Sequence, residues 1–160
     1  MNPVAVRDIY TEADFGSMDW HDCHIHAIAL EPLPDNPGRL LLDIDYLVEW
    51  LRPDPASRGL AFMVSPATLV FDRAWDLVTN IDLSGWGFQL SILEVERDGP
   101  DERGMSTWKL GGDLFELSIR SRGFTQYLRR EPMFCEGQRL SVAERGGLSF
   151  TEQGFSATPT

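Results

Sequence analysis

Apolar and polar residues alternate with a period of two along much of the chain, the pattern of β-strands that bury one face. The clearest case is segment 114–122, where Phe115, Leu117 and Ile119 point one way and the residues between them point the other. Together with segment 105–110, it predicts a β-hairpin. Roughly six to eight such short strands and little helix predict a mainly β, single-domain antiparallel sandwich or partly open barrel.

Two segments leave their local structure open. Residues 40–51 fit the apolar face of a strand and that of a helix equally well, and we predict a strand because Tyr46 and Trp50 suit a pleated surface. Residues 60–71 read as two short apolar runs separated at Pro66. Since proline has no backbone donor, we expect an edge position or a bulge there.

Length and composition suggest one domain. A chain of 160 residues with 42% hydrophobic residues can bury a sizeable core. We expect a single domain over 1–145 and a loosely ordered C-terminal tail over 146–160. No apolar run has the length of a membrane span, and the N-terminal residues lack the apolar segment of a secretory signal. These features predict a cytoplasmic protein with reduced Cys23 and Cys135.

Charge is distributed unevenly along the chain. The net charge of −11 comes entirely from residues 1–100, whereas residues 101–160 hold eight acids and eight bases. Such a charge argues against nucleic-acid binding, which needs clustered lysine and arginine. It could attract a basic protein partner at long range, or it could serve solubility alone.

If the acidic half binds a partner, we expect its acids to form one face. The predicted partner-binding residues are Asp43, Asp45, Glu49, Asp72 and Asp76. An alternative is a homo-oligomer in which the acidic half of one subunit meets arginines of another. The arginines considered are Arg120, Arg122, Arg129 and Arg130.

All three histidines lie in the stretch 20–26. On a strand, Asp22, His24 and His26 share one face. Side chains two residues apart start about 7 Å from each other, so His24 and His26 could bind one divalent metal. The third ligand could be Asp22 or, more readily, a carboxylate of a neighbouring strand, from Asp43 and Asp45 or from Asp72 and Asp76. This predicts, as an alternative function, a small metal-dependent enzyme. Without a ligand, these histidines are ordinary residues of a solvated strand face.

Three segments carry a family resemblance. They are the Trp-His-Asp-x-x-Ile stretch at 20–25, the strand-like run 39–46 and the run 65–71. Together they resemble a loose group of small uncharacterised bacterial β-rich proteins in which an aromatic-His-Asp-x-x-Ile strand opens the sheet. Some members of that group are similar to immunity proteins of bacterial toxin systems. The resemblance implies a β-rich fold and a non-catalytic, immunity-like protein-binding role.

Overall fold

A computed structural model describes residues 6–35, 37–52, 54–56, 59–85 and 87–157. Within these residues the strands are β1 (Ile9–Thr11), β2 (Cys23–Pro32), β3 (Gly38–Leu51), β4 (Ala61–Ile81), β5 (Leu90–Ile92), β6 (Glu94–Asp98), β7 (Ser106–Gly111), β8 (Phe115–Ser121), β9 (Gly123–Leu128) and β10 (Met133–Cys135). A 3-10 helix spans Glu12–Ser17, and α1 spans Val142–Arg145. Neither helix is long and apolar enough to cross a membrane. The mainly β fold and the hairpin of β7 and β8 are confirmed.

The strands form one antiparallel sheet that curls but does not close. Its order is β5-β2-β3-β4-β8-β7-β6, and β1, β9 and β10 attach beside this path. Only Leu93 separates β5 from β6, so the two ends of the order are neighbours in the chain. A Cβ on Gly112, in the β7–β8 turn, would overlap the carbonyl oxygen of Ser91 in β5. The sheet therefore bends into the partly open barrel or sandwich that the strand pattern predicts.

The long strand β4 is the centre of the sheet. On one side it pairs with β3 over residues 61–74. On the other side it pairs in turn with β10, β9 and β8. Pro66 lies inside this strand, opposite Asp45 of β3, and its carbonyl accepts a hydrogen bond from Arg129 N. The predicted edge or bulge is wrong, because Pro66 sits where the neighbour of β4 changes from β10 to β9.

The segment 40–51 is a strand, as predicted, and its two faces have different environments. One face, with Leu40, Leu42, Ile44 and Tyr46, joins an apolar core. The aromatic members of that core include Trp20, Phe71, Trp108 and Phe124. The opposite face, which we call the outer face of β3, carries Asp43 and Asp45.

The C-terminal segment packs on the sheet, which differs from the loosely ordered tail expected over 146–160. Phe155 N donates to Leu128 O at 2.9 Å, and Ser156 N donates to the carboxylate of Asp8 at 3.0 Å. The helix α1 is capped by Ser141 and ends at Gly146, whose φ of 78° is left-handed. Residues 158–160 of the expected tail lie outside the described residues.

Candidate functional site

The histidines of β2 are buried rather than solvated. His24 is 6% exposed, and its ring lies 4.6 Å from that of His26, centroid to centroid, in an edge-to-face arrangement. The side chain of His26 is 9% exposed. The expectation of a solvated strand face is therefore wrong, because the chain after β10 returns over this side of the sheet.

His26 contacts a carboxylate of the neighbouring strand, as the metal hypothesis required. Its Nε2 donates to Asp45 Oδ2 at 2.7 Å. Both oxygens of that carboxylate are already used, however. Oδ2 also accepts from Leu140 N at 2.9 Å, and Oδ1 accepts from Arg145 Nε at 3.1 Å. Asp45 therefore acts as a hydrogen-bond acceptor within a buried network.

Asp22 does not complete a ligand set with His24 and His26. It lies before β2 with a φ of 65°, and its Oδ2 accepts a hydrogen bond from Gln138 Nε2 at 2.7 Å. Within the described residues, no group of three or more His, Cys, Asp or Glu side chains is placed to hold a metal ion. The predicted ligand set is therefore not assembled among the described residues.

Arg145 is the centre of the buried network. All five of its N–H groups are used. Nη2 and Nη1 donate to the two oxygens of Asp43 at 2.6 and 2.9 Å, and Nε donates to Asp45. The remaining two donate to the carbonyl oxygens of Gly147 and Ile44. This fork holds both acids of the outer face of β3 against the C-terminal segment.

Two further groups complete the network at Asp43. Arg129 Nη2 donates to Asp43 Oδ1 at 2.7 Å, and Ser149 N donates to Oδ2 at 2.9 Å. Burial alone would raise the pKa of Asp43, but the hydrogen bonds from Arg145, Arg129 and Ser149 hold it below its usual value. Asp45 behaves alike: burial alone would raise its pKa, but His26, the hydrogen bond from Leu140 N and the charge of Arg145 together hold it below its usual value. Both carboxylates are thus stabilised in the charged form.

The five acids predicted to bind a partner do not form one face. Asp43 and Asp45 are fully buried, so they cannot contact a partner's surface in this structure. Glu49 is exposed near the end of β3, whereas Asp72 and Asp76 are exposed at the opposite end of the β3–β4 ladder, near the start of β3. The prediction that these five acids form one partner-binding face is therefore wrong.

Arginines of the second half of the chain neutralise acids of the first half within the same molecule. Arg145 and Arg129 bind Asp43, and Arg120 Nη1 lies 3.6 Å from Asp76 Oδ2. The opposite charges of the two halves suggested contact between subunits. At these pairs, they form ion pairs within one chain instead.

Burial also affects the proton affinity of His24. It lowers the pKa of the imidazole from 6.5 to about 4, and the neighbouring His26 ring and Arg139 act in the same direction. Folded His24 therefore stays neutral over a pH range in which the unfolded chain binds a proton. The free energy of unfolding must fall as the pH decreases from about 6.5 to 4.

We expect His24→Gln to remove this part of the pH dependence. Between pH 7 and pH 4, wild type should lose roughly 3 kcal/mol more unfolding free energy than the variant, in urea titrations at each pH. Ile25→Val, a core substitution beside it without a titratable group, should keep the wild-type slope. If the unfolding free energies of wild type and His24→Gln change in parallel with pH, the low pKa of His24 is contradicted.

A different set of acids shares one exposed face. The strands β6, β7, β8 and the second half of β4 lie side by side, and their register aligns outward side chains in three rows. The rows are Glu94, Gly111, Glu116 and Asn80; Glu96, Lys109, Ser118 and Val78; and Asp98, Thr107, Arg120 and Trp75. We call this surface the outer acidic face. Its acids are Glu94, Glu96, Asp98 and Glu116.

The outer acidic face combines free charge with apolar surface. Glu94, Glu96 and Glu116 are exposed, and none of them forms an ion pair with another described residue. They surround a groove of about 350 Å³ that Val78 also lines. Val78 is 69% exposed, which leaves most of its apolar surface available for contact. Such a surface can bind a cationic group and an apolar side chain together.

Comparisons of the chain with protein-family models, with curated proteins and with solved structures gave no match.

Proposed function

We propose that this chain is a non-catalytic, cytoplasmic protein-binding module that recognises a basic partner through the outer acidic face. The observation that carries the proposal is the alignment of Glu94, Glu96 and Glu116 around one groove beside the exposed Val78. The chain resembles proteins that are similar to toxin-immunity proteins. That resemblance supports a role in which this chain binds a partner protein and inhibits it.

The charge of the molecule supports the same function. A net charge of −11 attracts a basic partner over distances of about a Debye length, roughly 8–10 Å at physiological salt. Exposed charges of this kind increase the association rate more than the final affinity, whereas apolar contact at Val78 slows dissociation. Binding should therefore weaken as salt rises.

Selection from random short peptides displayed on phage tests the proposal without a known partner. At low salt we expect enrichment of peptides rich in lysine and arginine that also carry an apolar residue. The triple variant Glu94→Gln, Glu96→Gln, Glu116→Gln should bind the synthesised peptides about tenfold or more weakly, as measured by calorimetry.

A matched variant separates this face from general attraction. Glu102→Gln, Glu131→Gln, Glu136→Gln removes the same charge from exposed positions elsewhere and should keep most of the affinity. Selected peptides without basic residues, no selected peptides, or equal losses in the two triple variants would each refute the proposal.

A further inference from the structure

The second half of β4 has a free edge. Residues 67–72 of β4 have β3 on one side and β9 on the other. The ladder with β3 ends at Ala74, opposite Gly38, while β8 continues the line of β9 and pairs with residues 75–81. Beyond Ala74, β3 no longer flanks β4. On that side of β4, no described residue pairs with the backbone of residues 77–81. Among the described residues, the outward N–H and C=O groups of 77–81 therefore have no strand partner, which makes this edge a template for another strand.

An apolar cleft opens where this edge begins. It measures about 470 Å³ and lies between the end of the β2–β3 hairpin and β4. Its lining includes Leu30, Pro32, Leu40, Trp75, Leu77 and Ile119. Leu40 and Ile119 belong to the buried core, whereas Leu30 and Trp75 are 65% and 39% exposed. The cleft therefore runs from the surface to the core and can take an apolar side chain.

Charge around the edge indicates what would bind there. Asp76 and Glu31 have side chains 69% and 48% exposed, and both line the cleft. Arg39, which also lines the cleft, pairs with Glu31, Asp72 and Glu152, and Arg120 pairs with Asp76 and Asp101. Five acids therefore share two arginines in this region, which leaves it net negative. The outer acidic face adjoins the same strand through Val78. A second copy of the chain would also carry a net charge of −11 and would be repelled. The acidic surface around the free edge therefore favours a basic segment over a homodimer.

We propose that an extended, basic segment of a partner protein adds to the free edge of β4 at residues 77–81 as a further strand and places an apolar side chain in the cleft. Main-chain hydrogen bonds would give affinity, the cleft would select the apolar residue, and the acids would select flanking lysine or arginine. This inference rests on the proposed function, because it specifies how the basic partner is bound.

Methylation of the peptide backbone tests strand addition. In a strand, alternate N–H groups point to the same neighbour, so only one set can bond to β4. A selected peptide is synthesised in two forms, N-methylated at the even or at the odd residues of its binding segment. One form should lose at least about tenfold in affinity, and the other should stay within about twofold of the parent.

Substitution in the cleft tests the apolar contact. Leu30→Ser should weaken binding of the unmethylated peptide by about tenfold, because it removes apolar surface at the mouth of the cleft. Leu148→Ser is the matched control, since Leu148 is 60% exposed and does not line the cleft. It should bind like wild type.

The outcomes separate this inference from the proposed function. If the peptides bind but both methylated forms bind alike, or Leu30→Ser equals Leu148→Ser, strand addition at the cleft is wrong and the acidic-face proposal stands. If the free chain is a dimer by native mass spectrometry, and hydrogen exchange protects residues 77–81 in that dimer, the edge serves a second copy and the inference is wrong. If no peptide binds, both proposals fail.

Discussion

Replacing Arg145 with methionine is expected to lower the free energy of unfolding by about 3–5 kcal/mol. The substitution leaves Asp43 and Asp45 in the interior without the guanidinium that holds three of their four oxygens. Arg129 and His26 remain, but each reaches only one of the two acids. Because a buried carboxylate without its counterion is costly, much of the loss comes from these acids rather than from the missing side chain.

Urea titration at pH 7 measures this loss, with Arg103→Met as the control. Arg103 is exposed, so its replacement should change stability by less than about 0.5 kcal/mol. Arg145→Lys should lie between wild type and Arg145→Met, because an ammonium keeps the charge but cannot form the fork. A loss below about 1 kcal/mol in Arg145→Met would show that water solvates the acids, contrary to their burial.

The local periodicity of the chain was enough to predict the fold class. Alternation over 40–51 and 114–122 placed Leu42 and Leu117 on core faces, and the structure has both buried. At Pro66 the prediction was wrong, because it assumed that a single strand pairs with β4 along the whole of one side. A proline fits a central strand where two successive neighbours of that strand meet, and this arrangement depends on β9 and β10, far along the chain.

The candidate site was also predictable only in part, because local periodicity shows which residues of a strand share a face but not what packs on that face. Strand geometry put His24 and His26 on one face and left Asp43, Asp45, Asp72 and Asp76 as acids that could reach them. In the structure, His26 contacts Asp45. What the sequence could not reveal is that this face is covered. Arg145 lies about a hundred positions from both acids, and nothing local indicates that its segment returns to them.

The outer acidic face was missed because it depends on register. Glu94 and Glu96 alternate on one strand and Glu116 lies on another, so each reads as an ordinary solvated residue. Only the pairing of β6 with β7 and of β7 with β8 brings them around Gly111. A one-residue shift in either ladder would separate them, and sequence alone does not set that register.

The second large effect is expected at Trp108, the fully buried aromatic residue of β7. Its ring lies 5.2 Å from Phe15 and 5.4 Å from Phe124, centroid to centroid, with both contacts edge to face. Trp108→Ala should lower the free energy of unfolding by about 3–5 kcal/mol, because it removes these contacts and leaves a cavity. Phe88→Ala, at an exposed aromatic residue, should cost less than about 0.5 kcal/mol.

Trp108→Phe should be much milder, because two effects oppose each other. The smaller ring leaves a void, which destabilises the core. However, the indole Nε1–H of Trp108 has no hydrogen-bond partner among the described residues, and a buried donor without a partner costs about 1–3 kcal/mol. Removing that donor should offset much of the void, so we expect a net loss below about 1.5 kcal/mol. If Trp108→Phe is as destabilising as Trp108→Ala, the indole N–H is hydrogen-bonded in solution, and water must reach the apolar core.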